Sequence, residues 1–247
     1  MAGAPRVVVP FSMSTPDRGP DGFRHNPAAP GGLGMGPGAL PGPRIRSDIV
    51  DVYVFARVRA GEGPPSPLFA GRGSHAARSG AMMEGELGAP TRPRVYFLQL
   101  LRSKEPLNNT WHPVMGHIDA GETAVACALR EAHEELGLTP SHLADPARAR
   151  GFWALEQVHP FFVPAIDAVV LSPRFALEVP AAFRPVLNSE HSDCRWVDER
   201  DARDAASGCF MWPGQRQAIA EILESLARDD APGRKSLSVP LTPPSRA

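Results

Sequence analysis

The sequence predicts one mixed α/β domain over residues 45–228, and three observations carry that prediction. Short β-branched or alternating runs recur along the stretch, two apolar-periodic segments read as helices, and Pro/Gly-rich segments flank it at both ends. The 247 residues suit one domain with extensions or two small ones, and 43% hydrophobic content is enough for a real core.

The elements follow in order. Residues 1–44 hold nine of the 28 prolines and nine of the 23 glycines, and such a segment buries too little apolar area to offset its ordering entropy. Disorder is expected there. Order is predicted to begin at "IRSDIVDVYVFARV" (45–58), where Ile49, Val50, Val52, Val54 and Phe55 give a strand its β-branching and alternation. A Pro/Gly-rich stretch of 34 residues, 60–93, then interrupts, and its length and composition predict a disordered insertion. Strand character resumes in "RVYFLQLLR" (94–102) and again in "TWHPVMG". Later strands are predicted in "FWALEQVHPFF", "AIDAVVLSPRF" and "DCRWVD", and an amphipathic helix over 214–228. The tail, 229–247, is Pro- and Ser-rich and is expected to be disordered.

Bulk properties exclude several classes of function. A net charge of −1 argues against a general binder of nucleic acid polymers, which carries a basic excess. The three cysteines, Cys127, Cys194 and Cys209, lack metal-ligand spacing and read as reduced thiols of a cytoplasmic protein. No stretch approaches the ~18 apolar residues of a membrane span, and the N-terminal "MAGAPRVVVPFSMS" is a poor signal peptide.

The chemistry concentrates in Gly116–Leu138, "GHIDAGETAVACALREAHEELGL". Between Glu122 and Leu136 the apolar residues Val125, Ala128, Leu129, Ala132 and Leu136 recur at helical spacing. Gly121 and Gly137 fit a loop entry and a helix C-terminal cap. On that helix Glu131, Glu134 and Glu135 stand at i,i+3 and i,i+4 steps, so like charges are predicted to share one side. A cation above that side would turn repulsion into attraction, and hard oxygen donors suit Mg²⁺, with Mn²⁺ as a substitute. A solvated acidic face with Arg130 as counterion is the bland alternative.

The longer pattern weighs against the bland reading. Gly116, five residues, Glu122, seven residues and "REAHEELGL" reproduce without a gap the signature G-x5-E-x7-REUxEExGU, with Ala132 and Leu138 at apolar positions. The chain therefore resembles the Nudix hydrolases. That resemblance implies an α/β/α sandwich with a mixed sheet, a loop–helix–loop catalytic motif, and hydrolysis of a phosphoanhydride bond. It implies Glu131, Glu134 and Glu135 as Mg²⁺ ligands, with Glu134 as a third ligand or a water-activating carboxylate. The Gly116 carbonyl is implied as a further ligand, Arg130 as the residue orienting a catalytic glutamate, and Glu122 as structural. Glu190, in "NSEHSDCRWV", resembles the glutamate beyond the motif that adds a metal ligand or general base.

Outside the motif, "LLRSKEPLNNTWHPVMGHI", "LEQVHPFF" and "FMWPGQRQAI" look like the branch of dATP pyrophosphohydrolases and dihydroneopterin triphosphate pyrophosphatases. Arg102 and Lys104 are then candidates to meet a triphosphate, and Trp111 to stack on a base. Trp153, Phe161 and Phe162 could stack on a base as well, each of the four aromatics reads more readily as core, and His112, His117, His133 and His159 read as ordinary. The expected partner is a small nucleotide or pterin polyphosphate, with neither a nucleic acid polymer nor a membrane involved. ADP-ribose, nucleotide sugars and dinucleoside polyphosphates form the alternative substrate class, and a non-enzymatic ligand sensor of the same fold is a third reading.

Overall fold

A computed structural model describes residues 42–69, 92–105, 107–158 and 160–240. The expectations for residues 1–41, for most of the 60–93 insertion, for His159 and for 241–247 lie outside the described residues. The strands are β1 (Arg44–Arg46), β2 (Ile49–Val58), β3 (Arg94–Arg102), β4 (Trp111–His112), β5 (Val114–His117), β6 (Gly151–Ala154), β7 (Phe161–Val163), β8 (Ala168–Val170), β9 (Arg174–Glu178) and β10 (His191–Asp198). The helices are α1 (Ala124–Leu136), α2 (Pro140–Leu143), α3 (Glu199–Arg203), α4 (Pro213–Ser225) and α5 (Gly233–Ser236). Four stretches predicted as continuous strands are split, "FWALEQVHPFF" into β6 and β7 and "AIDAVVLSPRF" into β8 and β9. Ser47 and Asp48 separate β1 from β2, and Pro113, which has no N–H for a ladder, separates β4 from β5.

The main sheet runs β10-β3-β2-β9-β6, with β4 on β3 and β5 on β2. Pairing is mixed: β2 is antiparallel to β3 and β5 but parallel to β9. Nine of the ten residues of β2 are buried, because both faces of this central strand are covered. Alternation sends Val50, Val52, Val54, Ala56 and Val58 into one cluster with Cys127, Ala128, Leu129, Ala132 and Leu136 of α1. It sends Tyr53 and Phe55 into the other, with Ala218, Ile219 and Ile222 of α4. The result is a sandwich of helix, mixed sheet and helix, the mixed α/β domain that the sequence predicts in the arrangement that the resemblance implies. A second sheet, β1-β8-β7, continues from the β2/β9 end.

Both outer edges of the main sheet are met by segments that composition assigns to disorder. At β10, the Trp196 N–H donates to the Pro67 carbonyl and the Phe69 N–H donates to the Trp196 carbonyl, each at 2.7 Å. At β6, the Ala154 N–H donates to Leu237 O at 3.0 Å and the Val239 N–H to Phe152 O at 2.9 Å. An edge strand offers unpaired backbone groups, and local composition carries no signal of that demand. The boundary drawn at 228 therefore falls inside packed structure. Past it, Arg234 donates to Glu178 at 2.8 Å and its guanidinium lies 4.7 Å over Trp153, while Asp229 pairs with Arg57. Arg57 also donates to the fully buried Glu178 at 2.8 Å.

Candidate active site

Helix α1 is built as its sequence directs. Thr123 caps its start, accepting from the Ala126 N–H at 3.1 Å. Gly137 ends it at φ +71°, and the Leu138 N–H reaches back to Ala132 O at 3.3 Å. Small residues on the inner face, Cys127, Ala128 and Ala132, let the helix lie close to the sheet. The Cys127 thiol is pushed up to about 12 by burial and donates to His117 O at 3.3 Å, so it is a packing group.

Close packing brings two carboxylates inside. Glu131 and Glu135 are 8% and 2% exposed, an unusual burial for ionisable groups. A Cβ placed on Gly116 would fall 1.9 Å from Glu131 Oε1, so only glycine admits this carboxylate against β5. Burial raises the pKa of Glu131, and it raises Glu135 to about 9, with the neighbouring charge of Glu131 adding to the effect. A backbone hydrogen bond at Met115 offsets this in part, but Oε2 of Glu135 is buried and has no hydrogen-bond partner.

Arg130 organises the rim. It donates to both oxygens of Glu122 at 3.0 Å, to Glu131 Oε1 at 2.7 Å, to His117 O at 2.8 Å and, more weakly, to Glu134 at 3.4 Å. This hydrogen bonding holds the Glu122 carboxyl below its usual range, and Glu122 in turn accepts from the Asp119 N–H. Glu122 thus fixes Arg130 and the loop before α1, the structural role expected of it.

The remaining sequence-predicted residues fall in two places. Glu134 does not join the buried pair; its side chain is half exposed beside Arg130. Glu190 lies on the rim, paired with Arg102 at 3.3 Å, and its charge contributes to raising both Glu131 and Glu135. Lys104 reaches Ser189 Oγ at 3.1 Å beside it, so both cations border the acidic site. Trp111 is on the opposite face of the sheet. It packs 4.1 Å from the Arg195 guanidinium, which is held by Gln99 Oε1 and also covers Phe69. His112 and His191, by contrast, are buried beside Glu135: the His191 Nε2 lies 3.9 Å from Glu135 Oε2, and the two rings are 5.3 Å apart. Sequence reading passed over both histidines, although alternation from Val114 places His112 on the α1 face.

A family model described as the NUDIX domain matches residues 88–216. The chain belongs to the Nudix family. It is 31% identical over 107 residues to an RNA pyrophosphohydrolase of Acinetobacter baylyi, an alignment covering 40% of this chain and 64% of that protein. The chain thus spans less than two thirds of that relative's length. Among solved structures, a C. elegans Ap4A hydrolase aligns at 16% identity with a TM-score of 0.44, covering 71% of this chain and 93% of its own. The E. coli dihydroneopterin triphosphate pyrophosphohydrolase aligns at 18% identity with a TM-score of 0.41, covering 70% and 95%.

Proposed function

We propose that the chain is a Mg²⁺-dependent pyrophosphohydrolase that adds water across a phosphoanhydride bond of a nucleoside or pterin triphosphate. The observation that carries this reading is the pair of buried carboxylates, Glu131 and Glu135, with one oxygen of Glu135 lacking any donor. Two acids held this way repel each other and lose hydration, an arrangement a cation stabilises. The donors are hard oxygens, which suit Mg²⁺ better than thiolate- or imidazole-seeking ions. Among the described residues no group of three His, Cys, Asp or Glu side chains is arranged to hold a metal. Two carboxylates agree with the habit of Mg²⁺, which takes one or two from protein and the rest from water and phosphate.

Glu131 and Glu135 would hold the ion, with the Gly116 carbonyl beside them. The ion would neutralise phosphate charge and lower the pKa of bound water. Arg130 keeps Glu131 in place through its fork of hydrogen bonds. Glu190 and Glu134, exposed on the rim, are the carboxylates free of the buried pair and so able to take a proton from water or complete the ligand set. Arg102 and Lys104 offer positive charge to the outer phosphates. Trp111, across the sheet, would reach only a substrate that wraps the edge.

The test is phosphate or pyrophosphate release, with and without Mg²⁺, across dATP and other nucleoside triphosphates, dihydroneopterin triphosphate, ADP-ribose, a nucleotide sugar, Ap4A and an oligonucleotide 5′-triphosphate. Turnover of a triphosphate that is lost in Glu135→Gln supports the reading. Preference for ADP-ribose or Ap4A moves the chain to the alternative substrate class, and binding without turnover makes it a sensor. Glu190→Gln should lower turnover about 10²-fold if Glu190 takes the proton; partial rescue by added Mg²⁺ identifies it as a ligand instead.

A further inference from the structure

Three buried polar atoms meet beside α1 without a hydrogen-bond partner: Oε2 of Glu135, Nε2 of His191 and Nε2 of His112. The other nitrogen of each ring shows why. His112 Nδ1 lies 2.6 Å from the Pro113 carbonyl, which can only accept, so Nδ1 carries the proton. His191 Nδ1 lies 3.1 Å from Oδ1 of Asn188, and that same oxygen accepts from the Glu190 N–H at 3.0 Å. The amide orientation of Asn188 is thereby fixed, and His191 Nδ1 must also be the donor. With the ring proton held at Nδ1, what His191 turns toward Glu135 is its Nε2 lone pair.

We propose that Asn188 is a positioning residue that locks His191 in the Nδ1–H tautomer, so that no protein donor ties Oε2 of Glu135 and that oxygen stays open to a cation. The proposal rests on the reading of Glu131 and Glu135 as a cation site. A histidine at this place would ordinarily neutralise its carboxylate neighbour by donating to it. Asn188 prevents this from the far side of the ring, and His112, locked in the same tautomer by Pro113, adds no donor. The 3.9 Å gap between His191 Nε2 and Glu135 Oε2 exceeds a hydrogen bond, so the ring does not tie that oxygen.

Two measurements on the full chain, without nucleotide, test this. Long-range ¹H–¹⁵N spectra of the native protein should show both rings as Nδ1–H tautomers; an Nε2–H on His191 overturns the proposal directly. Calorimetric titration with Mn²⁺ or Mg²⁺ then compares variants, each checked for folding by its melting temperature. Asn188→Leu frees the ring to donate through Nε2 and should weaken cation binding about tenfold, as loss of a supporting group around a metal ligand typically does. Asn188→Asp keeps the acceptor and should keep the Nδ1–H tautomer. The double variant Asn188→Leu/His191→Phe carries no donor and should regain most of the lost affinity. A purely structural Asn188 predicts no such rescue. Affinity lost in Glu135→Gln but unchanged in Asn188→Leu overturns this proposal alone; affinity unchanged in Glu135→Gln overturns the cation site with it.

Discussion

Gly116 and Glu131 share one space: a single methyl group on residue 116 would sit 1.9 Å from Oε1 of Glu131 and 2.0 Å from its Cδ. A strand from one side of the site and a helix from the other are thus fitted to each other through a missing side chain. Gly116→Ala should displace the carboxylate while leaving the fold, since the atoms that must move are the end of a flexible side chain. Misplacement of about an ångström can cost about 10²-fold in rate. Turnover at saturating Mg²⁺ and the melting temperature, measured together, check this; unchanged turnover would remove Glu131 from the site.

Arg130 bridges Glu122, Glu131 and the His117 carbonyl with a planar fork that a lysine ammonium cannot reproduce. Arg130→Lys should therefore keep the local charge yet lose the two-point hold on Glu122. The expected result is turnover reduced by at least about tenfold, with KM little changed, because the loss is of orientation. Steady-state kinetics on the best substrate of the panel would show it. A lysine variant with native kcat would mean that charge alone suffices.

Much of this was legible from sequence because it is local. Helix α1, its stop at Gly137 and its acidic spacing are contained in one periodic stretch, and periodicity reports which residues face inward. The spacing could not say that Glu131 and Glu135 turn into the sheet while Glu134 turns out. That depends on how closely β5 approaches the helix, which Gly116 permits. Nor could it show that His112 and His191 meet, since pairing of β10 with β3 and of β4 with β3 brings together residues from distant parts of the chain. The Pro-rich stretches after residues 60 and 228 were harder to read for a related reason: composition measures what a segment can bury by itself, and Pro67, Phe69, Leu237 and Val239 bond to edges that belong to other strands.

Asp51 gives a dependence on pH. It is buried on the α4 side of β2, 3.7 Å from Arg174, and burial raises its pKa from 3.8 to about 6. The folded protein therefore holds a proton that the unfolded chain has released between those two values. Stability from this group falls as pH rises from about 4 to 6 and is level above. Asp51→Asn has no such charge to bury. The stability of the variant relative to the native protein should rise by up to about 3 kcal/mol between pH 4 and pH 7, at 1.36 kcal/mol per unit. Denaturant unfolding at both pH values checks this, and a constant difference would refute it.

Ending the chain at Arg228 should destabilise it. The cut removes Arg234 and Asp229, leaving Glu178, fully buried, with Arg57 as its remaining ion-pair partner. Removing one partner of a buried ion pair typically costs about 3–5 kcal/mol. A chain ending at Pro240 retains these contacts and should melt as the native protein does. Equal melting temperatures for the two truncations would show that the segment contributes nothing.

The prolines that make the flanks look unstructured have a second effect at the sheet edges. The segment lying along β10 carries Pro64, Pro65 and Pro67, and the one lying along β6 runs into Pro240. A proline can accept a hydrogen bond but has no N–H to offer a further strand. Each of these segments therefore covers its edge strand with a short ladder that the neighbouring prolines keep from extending. Trimming the chain by composition would expose two bare strand edges, and the first sign would be association between copies rather than loss of the site.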